Sequence, residues 1–160
     1  MGIKAVVRAE KHVANWGEWK AGIKMPPSAF PLSKHRSFSI RACYRWRVAE
    51  FTCTGKQYRL LVAYRPELEV YHAYLGVHED GDMCVIARCE FHPDHPGWHV
   101  HTNCHDAKEV FGRTGNLANR VPTAKGNHRR LAFGVENDDQ AFYVAAKVFG
   151  LVGKQLLTLQ

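Results

Sequence analysis

Between Phe38 and Cys104 the chain is a succession of short runs of period two, each closed by a turn signal. Phe38, Ile40, Ala42, Tyr44, Trp46 and Val48 alternate with Ser39, Arg41, Cys43, Arg45 and Arg47. That alternation predicts a strand with one apolar and one basic face. Thr54-Gly55-Lys56 reads as a hairpin turn leading to a partner strand over Tyr58–Tyr64. Arg65-Pro66-Glu67 turns the chain into a third strand over Val70–Val77. Glu79-Asp80-Gly81-Asp82 turns it into a fourth over Met83–His92, and Trp98–Cys104 makes a fifth. Strands joined by turns this short pair antiparallel, because a parallel partner needs a long crossover. The expected fold is α+β: an antiparallel meander of about five strands with a C-terminal helix and an N-terminal helical or mixed segment.

The flanks are less regular. Residues 3–24 carry Val6, Val7, Val13, Trp16 and Trp19 at loosely helical spacing, interrupted by Gly17 and Gly22. A strand at Ile3–Arg8 continuing as a helix fits that pattern. Pro26, Pro27 and Pro31 then make a connector. After Asp106, residues 107–111 can start a short helix. A long loop follows, broken by Gly115, Pro122 and Gly126 and rich in Arg113, Arg120, Lys125, Arg129 and Arg130. Asn137-Asp138-Asp139 offers caps and favourable charge for a closing helix that ends at Gly150 or Gly153.

At 160 residues the chain fits one domain with a proper core. No stretch approaches the roughly 20 apolar residues of a membrane helix, so no membrane partner is expected. The five cysteines are odd in number and contain no Cys-x-x-Cys pair, which suits reduced thiols in a cytoplasm. Cys43, Cys53 and Cys84 read as small buried apolar residues. The net charge of +7 favours polyanions, nucleic acid above all.

Five of the ten histidines, His92, His95, His99, His101 and His105, crowd into Cys89–His105. On a strand His99 and His101 stand side by side on one face, with Trp98, Val100 and Thr102 on the other. Such a pair can hold a divalent metal, with His92, His95 or His105 as third ligand and Asp94 or Asp106 as an oxygen donor or orienting group. The spacing matches no standard zinc finger, so an open site is favoured over a closed structural one. The same pair can instead serve as acid and base in metal-free ribonuclease chemistry. The plain alternative is a set of hydrogen-bonded histidines near a turn.

His99-Val100-His101 on a strand, with Tyr143-Val144-Ala145-Ala146-Lys147 on the last helix, resembles the two-part signature of the HUH single-strand endonucleases. The resemblance covers about a dozen residues, and the family's first motif has no clear counterpart near the N-terminus. It implies that His99 and His101 bind Mg²⁺ or Mn²⁺, that Tyr143 attacks the scissile phosphate, and that Lys147 assists. Gly97–His101 is also similar to the His-x-His of JAMM metalloproteases. Those need a downstream serine, and none occurs after Ser39.

The functional expectation is a nucleic-acid phosphodiesterase, acting on DNA or RNA, built on His99 and His101 with Mg, Mn or Zn. Arg41, Arg45, Arg47, Arg113, Arg120, Lys125, Arg129 and Arg130 are expected to contact nucleic acid. A metal-free His–His ribonuclease and a non-catalytic metal-binding, nucleic-acid-binding or protein-binding module are the alternatives.

Overall fold

The computed structural model describes residues 3–32, 38–79, 82–93, 97–102, 118–120 and 132–151. A short helix α1 (Ile3–Arg8) precedes strand β1 (His12–Asn15). Then come β2 (Arg45–Cys53), β3 (Lys56–Arg65), β4 (Val70–Glu79), β5 (Asp82–Phe91), β6 (His99–Thr102) and β7 (Ala118–Arg120). Helix α2 (Asp138–Phe149) closes the described chain. The strands form one seven-stranded antiparallel sheet in sequence order. The meander is therefore as expected, with β1 and β7 added at its two edges.

Local chemistry explains the tight connections. The β2–β3 hairpin pairs Cys53 with Lys56 across Thr54 (φ 51°) and Gly55 (φ 74°). Two successive positive φ values give a turn whose twist matches the strands it joins. Asn137 caps α2 by accepting the Gln140 backbone N–H at 2.9 Å, and Gly150 (φ 71°) ends it.

Two expectations are corrected. The N-terminal order is reversed: Ile3–Arg8 is helix and the strand follows it. Val6 is the buried residue of that helix, and one anchored turn suffices to seat it against the core. The strand expected from Phe38 begins only at Arg45. Phe38 and Ile40 are buried without joining the ladder. They belong to a segment held by the Met25 N–H donating to the Ile40 carbonyl at 2.9 Å.

The sheet's two faces differ. One carries the larger apolar cluster and packs against α2 through Ala141, Phe142, Ala145, Ala146 and Phe149. The other is apolar only over part of its breadth, where Met25, Phe30, Leu32, Phe38 and Ile40 lie against Trp46, Leu61, Ala63, Met83 and Val85. Gly76 permits that cover: a Cβ there would lie 2.9 Å from Phe30 Cζ and 2.8 Å from Met83 Cγ. From His72 on β4 through Arg88 and Glu90 on β5 to His99 and His101 on β6 the same face turns polar.

Candidate metal centre

Register assembles the polar patch. His72 on β4 pairs with Glu90 on β5, and Glu90 pairs with His99 on β6. One step along, Tyr74 pairs with Arg88 and Arg88 with His101. All six side chains lie on the face away from α2, because Cys89 and Val100, which alternate with them, pack into the helix-side core.

Glu90 is the centre. Its side chain is 8% exposed. Oε2 lies 3.5 Å from His101 Nε2, 3.6 Å from His99 Nε2 and 3.9 Å from His92 Nε2. Oε1 lies 3.4 Å from His72 Nδ1 and 4.0 Å from an Arg88 guanidinium nitrogen, and the Tyr74 hydroxyl donates to it at 3.4 Å. These separations are longer than good hydrogen bonds. They match the spacing of two ligands on one tetrahedral ion, about 3.4 Å when each bond is about 2.1 Å. Glu90, His99 and His101 bring one ligand atom each within 4.8 Å of one another, as do His72, Glu90 and His92. His72 Nδ1 is buried and makes no hydrogen bond among the described residues.

Electrostatics act differently on each of these groups. Burial alone would raise the Glu90 pKa, but the His72, His92 and His99 imidazoles and the Arg88 charge outweigh it, holding the carboxyl well below the usual range. Glu90 is therefore ionised. His99 Nδ1 stands 3.2 Å from the Gly97 carbonyl, so Nδ1–H donates there and Nε2 faces the carboxylate. The Glu90 carboxylate pushes the His99 pKa up against the opposing effect of burial. Burial and then the Arg88 charge push the His101 pKa down, which keeps that imidazole neutral, the form that binds metal.

The structure unites His92, His99 and His101, as the sequence suggested, and adds Glu90, His72, Arg88 and Tyr74, which it did not. A signal for Glu90 existed: it is the one carboxylate inside the apolar run Met83–Phe91. Cys89 is not part of the site, since it is buried on the helix side, where burial and then the Glu90 charge push its thiol up to about 12. Cys53 and Cys84 are buried as expected, whereas Cys43 is exposed because it lies in a turn ahead of β2.

Tyr143 and Lys147 are exposed residues of α2, which packs on the opposite face. The sheet thus separates them from the His99/His101 pair. Arg45 and Arg47 also face α2. The Arg45 guanidinium donates to Asp138, to Oδ1 at 2.6 Å, and Arg47 lies 4.1 Å over the Phe142 ring. The basic alternation on β2 therefore meets the helix, with the Arg45 side chain still 41% exposed. Arg41 is exposed in the turn before β2. Arg120 pairs with His99 through the β6–β7 ladder. His95, His105, Asp94, Asp106, Cys104, Arg113, Lys125, Arg129, Arg130 and the helix start at 107–111 lie outside the described residues. Among the described residues no helix is long and apolar enough to cross a membrane.

No family model matches this sequence, and comparison with curated proteins and with solved structures gives no significant match.

Proposed function

We propose that the chain is a metal-dependent phosphodiesterase acting on nucleic acid, with one divalent ion held by Glu90, His99 and His101. The observation that carries this is the convergence of two neighbouring Nε2 atoms on one buried carboxylate oxygen, at 3.5 and 3.6 Å. Two imidazoles and a carboxylate form a three-ligand set that leaves a coordination position open, as in hydrolytic zinc sites. Nitrogen donors favour zinc or another imidazole-binding ion over magnesium, which takes oxygen ligands. When bound, such an ion lowers the pKa of a water in the open position and polarises a phosphoryl oxygen. Arg88, beside Glu90, supplies a positive charge for the phosphate, and the +7 net charge draws polyanions to the surface.

Metal analysis of untagged protein tests the site, and cleavage of labelled single-stranded DNA and RNA with and without chelator tests the reaction. About one equivalent of metal is expected in the wild type. Glu90→Gln and the double change His99→Ala/His101→Ala should lose it, and chelator should stop cleavage. Wild-type protein that takes up no divalent ion would overturn the metal site.

One observation favours a second reading. The His99 and His101 pKa values are pushed in opposite directions, as an acid–base pair requires. A metal-free ribonuclease of that kind would cut RNA but not DNA and would ignore chelator. Metal uptake without cleavage would leave a binding module.

A further inference from the structure

Toward the start of β2 the polar cluster is bordered by Tyr44. The turn Arg41–Tyr44, closed by the Tyr44 N–H donating to the Arg41 carbonyl at 3.0 Å, sets this ring near His72 with centroids 6.0 Å apart. His72 lies nearly parallel to Tyr74, 5.9 Å away at 12°, and its Nδ1 stands 3.4 Å from Glu90. Rings thus lead from the turn to the carboxylate. Tyr44 is half-buried and packs against the second apolar cluster, which fixes its ring. Two arginines share its neighbourhood: Arg41 begins the same turn, and Arg65 follows Tyr64, whose ladder partner Arg45 is the residue after Tyr44. Arg41 is exposed, and Arg65 shares its charge with Glu67 at 3.0 Å.

We propose that Tyr44 is the base-stacking platform of a nucleotide subsite, where an unpaired base of a single-stranded nucleic acid lies on the ring while Arg41 and Arg65 hold the neighbouring phosphates. An aromatic ring near two arginines suits this ligand because every base offers a π-face and every linkage a charge. A paired base has its faces covered by its neighbours, so the subsite selects unpaired strands. The assignment rests on the phosphodiesterase reading for what the next phosphate meets at Glu90. Binding itself needs no metal.

Fluorescence anisotropy in EDTA tests it, with a labelled DNA of about 12 nucleotides, its 2′-O-methyl RNA counterpart and the matching DNA duplex. Neither single strand is cleavable under those conditions by metal-dependent or 2′-hydroxyl chemistry. Tyr44→Ala should weaken single-strand binding about tenfold or more. Tyr44→Leu, which keeps apolar packing, should show the same loss, and Tyr44→Phe and Tyr44→Trp should retain affinity. Arg41→Ala should lower the slope of log affinity against log salt by about one. The duplex should bind more weakly than either strand, and the tighter strand identifies DNA or RNA. Undiminished binding by Tyr44→Ala or Tyr44→Leu, equal binding of duplex, or no single-strand binding by the wild type overturns the proposal. Metal content of the same preparations keeps the two ideas apart. Metal without Tyr44-dependent binding sinks this inference alone, and Tyr44-dependent binding without metal sinks the metal site alone.

Discussion

The two faces of the sheet are made by the same strands and do opposite things. On the helix side, Tyr71, Cys89 and Phe91 alternate into an apolar core covered by α2, and two tyrosine hydroxyls there find acceptors. The Tyr71 hydroxyl donates to the Ala141 carbonyl at 2.7 Å, and the Tyr64 hydroxyl to Asp138 at 2.6 Å. On the other side, His72, Glu90, His99 and His101 occupy the positions between, and three imidazole nitrogens stand 3.4, 3.5 and 3.6 Å from the Glu90 carboxylate, beyond good hydrogen-bond distance. The first face spends its residues on stability and the second holds an arrangement that a bound cation would complete.

Substitutions on each face test that contrast. Phe142→Ala, which empties a fully buried ring position under α2, should cost about 3–5 kcal/mol in urea unfolding. A cost below about 1 kcal/mol would mean that the helix is not part of the core. Zinc at a hundredfold excess over its dissociation constant should raise wild-type stability by about 2.7 kcal/mol. Phe142→Ala should keep that increment and Glu90→Gln should lose it, because the two sites share no partners. Loss of the increment in Phe142→Ala would show that the faces are coupled.

Asp138→Asn should cost about 1–3 kcal/mol at neutral pH by weakening the contacts from Arg45 and Tyr64. Burial raises the Asp138 pKa, but those hydrogen bonds and the Arg45 charge outweigh it and leave it lowered. A depressed carboxyl pKa gives stability that is present above the unfolded value of about 3.9 and is lost as pH falls through the folded value. The gap between wild type and Asp138→Asn should therefore close in acid below about pH 4; a gap that stays constant would assign it to packing. Asn137→Ala should cost about 1 kcal/mol by removing the α2 cap, and thermal melts should show the zinc increment unchanged.

Much of this was legible in the sequence where one local rule decides the outcome. Thr54-Gly55, Asn137 and Gly150 each fix a turn or a helix end through their own backbone preferences. His99 and His101 share a face because strands alternate. What could not be read depends on which elements meet. Phe38 and Ile40 alternate like a strand because one side of their segment is buried against the sheet, and alternation reports burial, not pairing. Glu90 stands nine residues before His99, and only the β5–β6 register makes them neighbours. Arg45 and Arg47 are ordinary basic residues until α2 places Asp138 and Phe142 beside them.

Strand order has a consequence for how the centre comes into being. Each strand pairs with its immediate predecessor, so the groups around Glu90 all come from the span between His72 and His101. Loops that close over short stretches of chain cost little entropy and form early. The cluster can thus assemble by successive zipping of two adjacent hairpins, with none of its members waiting on a distant segment. Helix α2, on the opposite face, contributes no side chain to it.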